Sequence, residues 1–203
     1  MNTKIINSLT LVMFLLAVIF LPVSILAQQT QDRIVKYNSW RNEPVKISTV
    51  KVGGSQVEFA EKFQADNDWL RGLTFSVTNI SDKDICYINI ALDFPRAASK
   101  EPMTRERLLW SCKTDTESST KSSKKVEPLK PGESVDIVLS NEFYPETQEY
   151  LRRTNYSASI NLLEVSVDEV GFVGNKDVLW ISGQMMRRDP NNPSRWLPML
   201  EKQ

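Results

Sequence analysis

The chain contains no histidine. That absence removes the Ser-His-Asp and Cys-His nucleophile systems and the imidazole metal ligands. It also removes the one side chain whose unperturbed pKa lies near neutrality. Chemistry would fall to carboxylates, lysine, tyrosine or a carboxylate-bound cation. Asp66, Asn67 and Asp68, with Glu61 nearby, offer oxygens of the kind that bind calcium. The dense ligand spacing of an EF-hand is missing, however, and Asp and Asn are ordinary turn formers. Asp168 with Glu169 is half of a carboxylate pair for glycoside chemistry. Nothing in the sequence marks a second acid whose pKa burial would raise, and a strand edge or bulge accounts for both residues. The expectation is a protein that is not an enzyme, with no catalytic residue, no metal and no cofactor.

The remaining reactive or contact-forming residues are few. Cys86 and Cys112 are the only cysteines. In an exported chain they invite a disulfide, and two separate buried thiols are the alternative. Five Trp and five Tyr are enough to build a sugar-stacking platform. Trp180 sits inside an apolar run and reads as core, and Trp110, after Leu108 and Leu109, reads as core or sheet edge. Trp40 and Trp196 lie in polar, proline-containing segments and are the candidate partner or ligand contacts. Arg187, Arg188 and Arg195, around Asp189, join them, although a solvated, salt-bridged tail also explains these arginines. Asn79-Ile80-Ser81 and Asn155-Tyr156-Ser157 are formal glycosylation sequons, meaningful only in a eukaryotic secretory host.

The elements that must position these residues begin after a targeting segment. Lys4 and the apolar run Leu9 to Leu21 lead to Ala27, a signal-peptidase site that would leave Gln28 first. The alternative is an uncleaved anchor, since Ile5 to Leu26 is long enough to span a bilayer. Both readings place residues 28–203 outside the cytoplasm, with membrane contact only through residues 1–27 if uncleaved. Lys plus Arg equals Asp plus Glu at 25 each, which gives no basis for a nucleic-acid partner.

The chain is organised around Trp69 to Pro95. Leu73, Phe75 and Val77 alternate with polar residues, and so do Cys86, Ile88, Ile90, Leu92 and Phe94. A period of two with β-branched and aromatic residues marks strands with one buried face. The polar stretch Asn79 to Asp84 reads as a turn between two antiparallel partners. Residues 28–44 read as a lead-in. Val45 to Val52 is a strand ending in a Gly53-Gly54 hairpin, with Val57, Phe59 and Phe63 on the return. A short helical turn is expected over 104–109, and the apolar-free loop 113–125 is solvated. A Pro131-Gly132 turn introduces a strand through Val135, Ile137 and Leu139. Pro145 to Arg153 is the one helix, with Pro145 suited to its first turn. Strands follow over 159–173 and 178–185, and the prolines of 187–203 are expected to bar a ladder partner.

These elements amount to about seven short strands, the count and spacing of a single antiparallel two-sheet sandwich of the Ig or fibronectin III type. Its span would be 45–186. The runs LTFSVTNISDKDI and LKPGES resemble the Ig-like sandwich domains of exported bacterial proteins, and DVLWISGQMMRRDPNNPSRW is similar to the ends of uncharacterised exported proteins. The resemblance rests on turn and core residues, so it implies a fold and carries over no catalytic residue. The functional expectation is a non-enzymatic protein-interaction or structural module at the cell envelope. A carbohydrate- or small-ligand-binding module using exposed aromatics is the alternative.

Overall fold

The structure, a computed structural model, describes residues 30–94, 104–112, 126–142, 144–153 and 161–199. The expected signal segment, the 113–125 loop, the second sequon and residues 200–203 lie outside them. Among the described residues, no helix is long and apolar enough to cross a membrane. Those residues form a β-sandwich with one short helix among them, α1 (Tyr144–Arg153).

The strands are β1 (Gln31–Tyr37), β2 (Val45–Val52), β3 (Ser55–Val57), β4 (Lys62–Ala65), β5 (Thr74–Asn79) and β6 (Ile85–Phe94). They continue with β7 (Thr104–Ser111), β8 (Ser134–Val138), β9 (Leu162–Phe172), β10 (Val178–Ile181), β11 (Gln184–Asp189) and β12 (Asn192–Pro198). Twelve strands among the described residues replace the expected seven. Four form the sheet β3-β2-β5-β8 and eight form the other. Strand β9 is the axis of the larger sheet. One of its edges pairs with β6, which carries β7; the other is shared end to end by β1 and β10. The β1–β9 pairing is parallel, so this sheet is mixed and not purely antiparallel. Val50, Phe75, Val77 and Ile137 from one sheet share a buried cluster with Ile88, Ile90, Leu92, Val165 and Val167 from the other. Each such side chain contributes about 1.5–3 kcal/mol by leaving water.

Several local expectations are corrected. β5 and β6 do not pair with each other. β5 pairs with β2 and β8, whereas β6 pairs with β7 and β9, so Asn79 to Asp84 arches from one sheet to the other. Residues 28–44 contain a strand of the core, because Val35 is fully buried and β1 pairs on both edges. The inward-facing Arg33 disguised it. That guanidinium is fully buried and donates to Asn161 Oδ1 at 2.7 Å, Asp66 O at 3.0 Å and Asn67 Oδ1 at 3.0 Å. Residues 104–111 are a strand and not a helical turn, pairing in register with β6.

The C-terminal stretch departs furthest from expectation. Ser182 and Gly183 take φ of 42° and 97°, the positive values a two-residue hairpin turn needs, and split the expected 178–185 strand into β10 and β11. The ladder then runs through position 187 into β12. Pro193 and Pro198 do not bar it, since β12 is the outermost strand and an edge tolerates residues without an N–H. The helix forms where expected, with Glu146 in its first turn and Arg153 bonded to Glu149 at 2.9 Å.

Candidate functional site

Beside a cavity of about 740 Å³ lined by Phe63, Asp66, Asp68, Trp69 and Arg71, two further places among the described residues gather polar or aromatic side chains into a shape that could meet another molecule. The first is a groove of about 560 Å³ between β10–β12 and the loops at 42–44 and 81–83. Phe172, Trp180, Met185 and Met199 supply its apolar surface, and Lys83 supplies a cation whose Nζ lies 5.5 Å from the Phe172 ring centroid. Trp180 is 2% exposed, and its indole Nε1 has no hydrogen-bond partner among the described residues. Glu43 forms part of the wall, accepting from the Trp40 N–H at 2.7 Å and from the Tyr37 hydroxyl. Burial raises the Glu43 pKa above the usual carboxylate value, with those two bonds acting in the opposite sense.

The second place is the outer face of the larger sheet, where β6, β7 and β9 run side by side. Asp168 is the extra residue of a β-bulge: Asn89 pairs with Glu169 and Ile90 with Val167, and Asp168 falls between. A bulge re-aims a side chain, and here it brings the Asp168 carboxylate over the face carrying Asn89, Ala91 and Asp93. Asp168 Oδ1 accepts from Ser182 Oγ at 3.0 Å, while Arg105 and Arg107 of β7 approach its two oxygens at 3.7 Å each. Arg105 is held more tightly by Asp93, Nε to Oδ1 at 2.7 Å and Nη2 to Oδ2 at 2.9 Å. Tyr87 donates to Glu169 at 3.2 Å, and burial together with that carboxylate pushes its phenol up to about 12.

The residues singled out in the sequence divide between these places and the scaffold. Asp168 and Glu169 lie at the bulge. Asp66, Asn67 and Asp68 serve the fold: beyond the bonds from Arg33, Asp68 Oδ1 accepts from the Tyr144 hydroxyl and from Gln148, each at 3.2 Å. Cys86 and Cys112 form a disulfide between the start of β6 and the residue after β7, with Cα atoms 4.8 Å apart. Asn79 is fully buried and fully bonded, so in the folded protein it is no acceptor of a glycan.

Trp40 is 45% exposed and leans on the Gly183 turn, where an added Cβ would lie 3.6 Å from its ring. Trp196 is half-buried and pairs with Arg188, whose guanidinium carbon lies 4.7 Å from its ring centroid. The two indoles therefore sit near opposite ends of β11, against Gly183 and Arg188, roughly 16 Å apart along the strand, and form no single stacking platform. Arg188 is tied to Pro193 O at 2.6 Å and Asp177 at 3.2 Å, whereas Arg187 and Arg195 are exposed. Sequence reasoning passed over Asn89, Arg105, Arg107, Lys83 and Phe172. The available signal was polar: Asn89 and Asp93 interrupt an otherwise apolar ten-residue strand.

Compared with protein-family models, with curated proteins and with solved structures, the chain matches none.

Proposed function

We propose that this chain is an exported, non-catalytic β-sandwich that binds a protein partner at the cell envelope through the groove beneath β10–β12. The proposal includes the Ig-like character implied by LTFSVTNISDKDI and LKPGES, and export through the apolar segment Leu9 to Leu21. The observation that carries it is the groove itself. Apolar and aromatic side chains line a concavity beside one cation and a buried indole N–H with nothing to donate to. Such a surface gains free energy when covered, and a partner acceptor would satisfy the indole. The histidine-free composition and the pairing of Asp93, Asp168 and Glu43 with neighbouring donors support a binding role over a catalytic one.

A photo-crosslinking residue at Gln184, an exposed position on the groove, tests this in the native envelope fraction against the same residue at Lys46 on the four-stranded sheet. A discrete protein adduct is expected from position 184 alone, lost when Met185→Asp spoils the groove. Matching adducts from both positions, or none from either, would overturn the reading.

The groove volume also suits a small ligand, since such pockets run to about 300–1,000 Å³. Native mass spectrometry of envelope-purified protein separates the two readings. A bound mass of a few hundred daltons, lost in Met185→Asp, would transfer the groove to that ligand.

A further inference from the structure

Asn89 is fully buried on the outer face of the eight-stranded sheet, and among the described residues neither its Oδ1 nor its Nδ2 has a hydrogen-bond partner. Leaving such buried groups unsatisfied is costly, and few positions bear it without compensation. What lies over it follows from register. Arg107 stands on β7 opposite Ala91, and its guanidinium reaches Asp168 on β9, two strands and about 10 Å away. The side chain must therefore cross β6, over the small Ala91 and alongside Asn89. Arg107 is a loose cover. Its side chain is 57% exposed, and the 3.7 Å approach to Asp168 is longer than a hydrogen bond. Asp168 does not depend on it, being held by Ser182 at 3.0 Å.

We propose that this face is a second binding site, one that takes the carboxyl terminus of a peptide: Arg107 swings out to the terminal carboxylate and Asn89 pairs with the last peptide amide. A primary amide that offers a donor and an acceptor side by side is the complement of a secondary amide that does the same. The planar guanidinium is the complement of a carboxylate, which it grips with two parallel bonds. Leu109, opposite Asn89 on β7 and 59% exposed, gives the final side chain an apolar contact. Local charge limits the ligand to one carboxylate. Asp93, Asp168 and Glu169 already outnumber Arg105 and Arg107, so a ligand with several acidic groups is repelled.

The experiment follows the side-chain amide resonances of Asn89 in the 15N-labelled, disulfide-intact chain. Three probes are titrated: N-acetyl-Ala-Ala with a free carboxylate, the same peptide as its carboxamide, and glucuronate. The free acid should move the Asn89 resonances and bind at least about tenfold more tightly than the carboxamide. Arg107→Gln, a change at an exposed side chain, should erase that preference while the protein stays folded. No response to either peptide, as when ordered water alone fills the site, would overturn the proposal. So would equal responses to acid and carboxamide, or a response to glucuronate without one to the peptide. None of these results bears on the groove beneath β10–β12, which is tested at Gln184.

Discussion

The Asn79 side-chain amide donates to the Leu129 carbonyl at 2.9 Å and to the Lys83 carbonyl at 2.8 Å, while its oxygen accepts from the Ser81 N–H and hydroxyl. One buried amide thus fastens the arch between the sheets to the strand-like segment before the Pro131-Gly132 turn. Every donor and acceptor it owns is used. Asn79→Ala should lower stability by about 1–3 kcal/mol, because a fully buried amide and the four hydrogen bonds it makes are lost together. Urea unfolding checks it through the midpoint; an unchanged midpoint would mean that the arch is held by its backbone alone.

Ile90 and Thr78 test the facing of the two central strands. Ile90 is fully buried and belongs to the shared core, so Ile90→Ala should cost about 2–5 kcal/mol through the cavity it leaves. Thr78 lies on the outer face of the four-stranded sheet, its hydroxyl 2.8 Å from that of Ser134 in an exposed pair. Thr78→Ala should change stability by about 0.5 kcal/mol or less. Similar losses at both positions would contradict the sandwich.

The legible part of this fold was the part with one wet face and one dry face. β5 alternates buried Phe75 and Val77 with half-buried polar residues, and its period of two can be read directly. β1 hides behind Arg33, a buried charge that periodicity scores as solvent-facing. β7 hides because Arg105 and Arg107 point to one face and Glu106 to the other, so charge occurs on both. Only the fold reveals that Arg105 meets Asp93 on the neighbouring strand and that Arg107 reaches toward Asp168 two strands away. The arch at Asn79 to Asp84 has the composition of a hairpin turn, and nothing local distinguishes a chain that reverses within a sheet from one that crosses between sheets. At the candidate sites, Asp168 was conspicuous as a charge in a β-branched run. Asn89 acquires meaning only through the bulge that sets Asp168 above it.

Alkaline titration tests the buried phenols. Tyr87 and Tyr144 are both pushed up to about 12, chiefly by burial and then by Glu169 and Asp68 respectively, and Tyr37 is raised by burial and by Glu43. A phenol whose folded pKa exceeds its unfolded value of 10.0 stabilises the fold through its neutral form. That contribution is intact below pH 10 and is lost as the pH climbs toward 12. Ultraviolet difference absorbance should therefore show these three tyrosines ionising late, in step with loss of the native circular dichroism signal. Ordinary ionisation of all five tyrosines near pH 10 in a folded protein would show that the phenols are not shielded.

Arg187 and Arg188 are adjacent and equally charged, yet the structure gives them opposite duties. Arg188 donates to Pro193 O at 2.6 Å, pairs with Asp177 at 3.2 Å and lies over the Trp196 ring, so it fastens the edge strand β12 to β11 and to the turn before β10. Arg188→Ala should cost about 1–2 kcal/mol, given a charge-assisted bond and a cation–π contact at a partly exposed site. At about 2–4 °C per kcal/mol for a chain of this size, calorimetry should find the melting temperature several degrees lower. Arg187 is exposed on the neighbouring position, and Arg187→Ala should stay within about 0.5 kcal/mol of the parent. If the two substitutions prove equally mild, the C-terminal hairpin is not pinned to the sandwich by Arg188. The groove wall formed by Pro198 and Met199 would then be open to rearrangement when a partner arrives.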